Sequence, residues 1–190
     1  TVIFPHENNT FKNKVIAASH VINGFGKSVG LIQIDELGTL ETPIILTNTL
    51  SVGVAQNALI KYMLDHNHDI GVDTGTVNCV VGECNDGVLN TIRKLHVREE
   101  DVLDALNSCS EVFEQGNVGA GTGMVCYQLK GGIGSSSRVI ELDGFEYTVG
   151  TLVLSNFGSL EDLMVLGNPV GQNIKENMGI NRQDDKGSII

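Results

Sequence analysis

Between residues 117 and 138 the chain reads NVGAGTGMVCYQLKGGIGSSSR, and seven glycines fall between Gly116 and Gly134. No other stretch restricts the possible folds so strongly. Glycine reaches φ > 0 and lets backbone come close, but it costs conformational entropy in any regular element. Such a concentration implies main chain packed tightly against main chain, a ligand or a partner. A pair of hairpin turns around the β-type run at residues 124–129 is the plainer reading. Neither phosphate-loop pattern fits. The spacing G-x-x-x-x-G-K-[ST] is absent, and Gly119-x-Gly121 meets Met124 where a dinucleotide fingerprint needs its third glycine.

At 190 residues the chain suits one domain with a substantial core. A hydrophobic content of 41% and a charged content of 18% are globular values and exclude the disordered class. The net charge of −11 argues against nucleic acid, whose binding relies on clustered Lys and Arg. No apolar run approaches the ~20 residues of a membrane span, so no membrane partner is expected. Cys79, Cys84, Cys109 and Cys126 show neither C-x-x-C nor zinc spacing. They read as reduced, scattered thiols of a cytoplasmic protein. His66 and His68 stand two apart at a helix end and share no helical face, so no metal site is expected there.

Along the chain, residues 1–4 read as a strand that Pro5 closes. Residues 14–22 and 28–34 read as strands joined by the turn Asn23-Gly24-Phe25-Gly26. A short buried strand at 44–46 precedes a helix that Ser51 can cap and that runs to about Asp65. Val52, Ala55, Leu59, Tyr62 and Met63 give it an apolar stripe. Residues 76–81 read as a strand, with the polar loop GECNDG after it. Glu99, Glu100 and Asp101 favour a helix start, continued to Gly116. The rest reads as β: residues 124–129, 136–142 and 145–154, with Asp143-Gly144 as a hairpin turn. From Ser159 to Gly187 the composition is that of an exposed linker. Helices interleaved with tightly joined strands predict an α+β fold with mostly antiparallel sheets.

NVGAGTGMVCYQLKGGIGSSSR resembles the signature of the DmpA-type L-aminopeptidase/D-esterase family. These are self-processing N-terminal-nucleophile hydrolases that include β-peptidyl aminopeptidases. Four further segments match in order: TVIFPH at 1–6; VINGFG at 21–26 with LETPIILTNTLS at 40–51; VVGECNDGVLN at 80–90; and YTVGTLVLSNFG at 147–158. The resemblance implies an α-β-β-α sandwich, with residues 1–158 as the larger-fragment part of one domain. It also implies a homotetramer, no cofactor, and peptide, amide or ester substrates.

The resemblance carries the chemistry onto the tail, Asp184-Asp185-Lys186-Gly187-Ser188-Ile189-Ile190. Read bare, this is a charged linker meeting a strand start. In the family a precursor cuts itself at such a bond, which makes Gly187 the residue before the scissile bond and Ser188 the nucleophile. Serine is a weak nucleophile and needs a base. As a chain terminus it brings one, because an α-amine with pKa near ~8 is partly neutral at working pH. Asn156 matches the family's oxyanion donor, a role worth roughly 3–4 kcal/mol where measured. Read alone, it is an asparagine in the turn ahead of Gly158.

Glu83 and Asn85, in the GECNDG loop, are the expected substrate-binding residues; some relatives carry a tyrosine near Asn85, where this chain has asparagine. Cys84 as a rival nucleophile has no histidine near it in sequence, and a structural thiol is the plainer reading. Family members continue beyond a segment like Ser-Ile-Ile, with a supporting serine and glutamate in that later part. The 190 residues alone are therefore expected to be inactive. The competing reading is an uncleaved, non-catalytic homologue that serves as an assembly or ligand-binding protein.

Overall fold

The computed structural model describes residues 1–178 and 188–189. Contacts divide the chain into two compact units, Thr1–Glu83 with Thr91–Phe113, and Cys84–Asn90 with Glu114–Ile190. The block 1–158, expected as part of one domain, thus draws on both units.

In the first unit the regular elements are β1 (Val2–Ile3), β2 (Val15–Ile16), α1 (Leu31–Leu37), β3 (Thr39–Leu40), β4 (Ile44–Asn48), α2 (Val52–His66), β5 (Val80–Cys84) and α3 (Glu99–Asn107). β4 lies between β1 and β5, and β1 pairs with it antiparallel, Val2 opposite Ile45. A second, two-stranded ladder joins β2 to β3. The core gathers Ile45, Val52, Ala55, Leu59, Met63, Val81, Val102 and Leu106. Residues 52, 55, 59 and 63 recur every three or four positions, so one face of α2 is buried. Each large apolar side chain so removed from water stabilises the unit by about 1.5–3 kcal/mol.

Several expectations fail here for local reasons. Residues 28–34 are not a strand: Val29 makes one bridge to Val81, then the chain enters α1. Gly30, at φ 87, sets that helix off, and a Cβ there would stand 2.9 Å from the Val80 Cα. Only Val15–Ile16 of the expected strand at 14–22 pairs, so the hairpin at 23–26 does not form. Ser51 makes no side-chain cap bond to α2, because a 3-10 turn, Thr49–Ser51, leads into the helix instead. β5 runs Val80–Cys84 beside β4, and the polar loop begins at Asn85. α3 starts as expected, with the Arg98 N–H donating to Asp101 Oδ2 at 2.8 Å. It stops at Asn107, not Gly116; the Ser110 hydroxyl turns back to the Val112 carbonyl at 2.6 Å, competing with helix.

The second unit contains β6 (Val125–Cys126), β7 (Leu129–Lys130), β8 (Ile133–Leu142), β9 (Phe145–Asn156), α4 (Val170–Met178) and β10 (Ser188–Ile189). β9 runs between β8 and β10. The β8–β9 ladder keeps register from Leu142 opposite Phe145 to Ile133 opposite Leu154, closed by the expected Asp143-Gly144 turn with both residues at positive φ. The glycines serve backbone packing on backbone. Gly116 and Ile133 exchange N–H···O bonds of 2.7 and 2.9 Å. A Cβ on Gly121 would lie 2.6 Å from the Ile133 nitrogen, and one on Gly132 would strike the Gly116 carbonyl.

In the segment read as exposed linker, the described residues run to Met178. They hold a 3-10 turn, Leu160–Asp162, and α4. Leu160 is buried, the Gly171 N–H donates to the Leu163 carbonyl at 3.0 Å, and Lys175 bonds Glu161. The apolar residues among the polar ones supply this packing. Gly187 lies outside the described residues. The fold class is α+β, as expected, and the β1–β4, β2–β3, β6–β7, β8–β9 and β9–β10 ladders run antiparallel. Among the described residues no helix is long and apolar enough to cross a membrane.

Candidate active site

β9 delivers Asn156 as its last residue, two positions beyond the fully buried Leu154. β10 pairs with this end of the strand, Ser188 opposite Asn156 and Ile189 opposite Ser155. The Asn156 Nδ2 donates to the main-chain carbonyl of Asn85 at 2.7 Å. Of the predicted residues the second unit therefore brings three together: Ser188 through its backbone, Asn156, and Asn85.

Asn85 takes part through its carbonyl. Its own side chain accepts the Gly87 N–H at 2.8 Å, an Asx-turn contact that shapes the loop. Asp86 next to it is buried and takes the Asn90 amide at 2.8 Å. A Cβ on Gly123 would approach Asp86 Cβ to 2.8 Å. Glycine at that point is what allows the loop carrying Asn85 to dock on the glycine-rich segment.

Tyr127 was not foreseen. The run at 124–129 is not one strand but the hairpin β6–β7, turned by Tyr127 at φ 52 and Gln128 at φ 60. The Tyr127 N–H donates to the Phe157 carbonyl at 2.7 Å. The two rings lie 5.0 Å apart at 57°, a favourable tilted arrangement. Gly158 passes beneath the tyrosine ring, where a Cβ would stand 2.7 Å from two ring carbons. The run's strand-forming composition conceals this turn; the contacts that fold it come from the far side of β9.

Glu83 belongs to the first unit. Its carboxylate is buried and accepts the Lys27 N–H at 3.0 Å and the Thr49 hydroxyl. Both oxygens are occupied by the protein's own donors. Cys84 is fully buried, with its thiol on the Leu154 carbonyl at 3.4 Å, which suits a structural thiol and not a nucleophile. Burial, with Glu41 as a lesser contributor, pushes the Cys79 thiol up to about 12, so it too is inert.

The model of peptidase family S58 matches residues 1–190. The chain belongs to peptidase family S58. This S58 chain is 38% identical over 175 residues to the β-peptidyl aminopeptidase BapA of Sphingosinicella microcystinivorans, covering 92% of the chain and 43% of that protein. The BapA of Sphingosinicella xenopeptidilytica is 36% identical over 176 residues, with the same coverage. Among solved structures, a Pyrococcus horikoshii OT3 protein superposes with a TM-score of 0.90 at 58% identity, over 92% of this chain and 49% of that one. A Burkholderia β-aminopeptidase gives 0.87 at 40%, over 92% and 49%. The L-aminopeptidase D-Ala-esterase/amidase of Ochrobactrum anthropi, described as a variant of the Ntn hydrolase fold, gives 0.81 at 38%, over 86% and 46%. The DmpA-type resemblance and the N-terminal-nucleophile fold class are thus borne out. The S58 chain spans less than half the length of these relatives.

Proposed function

We propose that the protein containing this chain is an aminopeptidase, with amidase and esterase capacity, that matures by cutting itself before Ser188. The carrying observation is the register that sets Ser188 opposite Asn156. Residues directly opposite in an antiparallel pair are close enough to act on one reacting centre. In maturation the Ser188 hydroxyl attacks the Gly187 carbonyl, and the amide bond between them becomes an ester on the serine oxygen. The hydroxyl proton passes to the departing nitrogen, so this shift frees the Ser188 amine; water then hydrolyses the ester to the Gly187 carboxylate and the serine hydroxyl.

In turnover this amine takes the hydroxyl proton as oxygen attacks the substrate carbonyl. The Asn156 amide donates to the oxyanion that develops. Collapse of the tetrahedral species breaks the scissile bond, and the leaving amine or alcohol takes the proton. Water then clears the acyl-enzyme by the same route. Substrates are peptides, amides or esters cut after their N-terminal residue, in keeping with the names of the relatives given above. Asn85, exposed beside Asn156, faces the substrate. The assembly we propose is a cytoplasmic homotetramer that includes the C-terminal segment of the same precursor.

Intact-mass measurement on the full-length protein tests this. Two fragments, the second starting at Ser188, are expected, together with release of p-nitroaniline from aminoacyl-p-nitroanilides. Ser188→Ala must leave one chain. A wild-type protein that stays whole and ignores these substrates is instead a non-catalytic assembly or binding protein.

A further inference from the structure

The geometry points to Tyr127 as a positioning residue for the Asn156 amide, an inference that rests on the oxyanion role proposed above. An asparagine side chain at a strand end has two freedoms to lose, the rotation of its amide and the path of its backbone. Asn85 removes the first. Its carbonyl takes one N–H of Asn156 at 2.7 Å, which fixes the amide plane and with it the direction of the second N–H.

Tyr127 removes the second. Its backbone sits at φ 52, a conformation that L-residues other than Gly, Asn and Asp seldom adopt. The surroundings hold it there through its N–H on the Phe157 carbonyl at 2.7 Å and its ring against Phe157 at 5.0 Å. The same ring covers Gly158 so closely that no Cβ fits. Residues 157 and 158 are therefore clamped immediately after Asn156, just where the ladder with β8 has ended. An uncommon backbone conformation kept by three contacts to the strand end behind a catalytic amide is the pattern expected of a preorganising element. The contacts engage the ring and the main chain, and the tyrosine hydroxyl has no part in them.

The test uses the full-length precursor. Tyr127→Ala keeps the main-chain N–H and removes the ring. It is expected to lower both kcat and the first-order rate of self-cutting roughly ten- to hundredfold, with KM nearly unchanged, because slight misplacement of a catalytic group costs that much. Tyr127→Phe should stay within about twofold of the wild type, since it keeps the ring. Phe157→Leu, which keeps its carbonyl but loses the ring pair, should fall between them and serves if Tyr127→Ala does not fold.

Asn156→Ala separates the two ideas. If that variant alone leaves the rate untouched, the oxyanion reading fails. If it slows the reaction and Tyr127→Ala then adds no further loss, the two act as one unit and the positioning role stands. A full additional loss in the Asn156→Ala background, a rise in KM at constant kcat, or equal losses for Tyr127→Phe and Tyr127→Ala each overturn it.

Discussion

Ser188 stands directly opposite Asn156 in the antiparallel ladder between β10 and β9. The two residues are 32 apart in the chain, and the ladder makes them neighbours. On the mechanism proposed above, replacing Asn156 by alanine removes the donor to the developing oxyanion. The expected effect is a fall of about 10²–10³ in kcat, while KM changes little. Steady-state kinetics on the matured enzyme provides the check, and self-cutting followed by gel densitometry should slow in parallel.

Glu83 offers a contrast between holding and binding. Its two oxygens accept one main-chain N–H and one hydroxyl. Glutamine can still accept the Lys27 N–H and can donate to the Thr49 oxygen, so Glu83→Gln should leave thermal stability close to wild type. Glu83→Ala removes the acceptor of the buried Thr49 hydroxyl and of the half-buried Lys27 N–H and should cost about 1–3 kcal/mol. Denaturant melts of the two variants measure this difference. A folded Glu83→Gln protein that loses substrate affinity would support the substrate-binding role expected of this residue.

The glycine-rich segment gives a positional prediction. Gly132→Ala drives a methyl into the Gly116 carbonyl and should destabilise by about 1–3 kcal/mol. Gly150 on β9 has open space where its Cβ would be, so Gly150→Ala should be neutral or slightly stabilising. Comparing the two melting temperatures separates close packing from mere loss of flexibility.

Acid sensitivity should trace to Glu41. Burial pulls its carboxyl upward. Hydrogen bonds from the Lys14 ammonium at 2.7 Å and from the Asn78 main chain and side chain outweigh this and hold it below its usual 4.5. A depressed carboxylate pKa adds stability that is complete above 4.5 and is lost as pH falls through the lower folded value. Lys14→Met should cost about 1–2 kcal/mol near neutrality. Its gap to wild type should narrow as the pH drops below 4.5 in a series of thermal melts.

Much of this was legible in the sequence, and the exceptions share a cause. Asp143-Gly144 announced the β8–β9 hairpin because its turn chemistry is local. The stripe at residues 52, 55, 59 and 63 announced α2 because its periodicity is local too. Residues 31–37 misled because Ile, Leu and Gln fit strand or helix alike, and the deciding constraint is Gly30 packed over Val80. The 124–129 run hid a turn for the same reason: the Tyr127 conformation is held by Phe157 and Gly158, thirty residues on. The catalytic reading of Ser188 came from resemblance, and the backbone register supports it. Only the fold revealed that Asn85 contributes its carbonyl.

The ladder that carries Ser188 has one more consequence. Its bonds join main chain to main chain across the strands, downstream of any break before residue 188. Scission there would sever covalent continuity yet leave the newborn terminus moored to β9, so the two pieces should travel through purification as one particle and part only under denaturant.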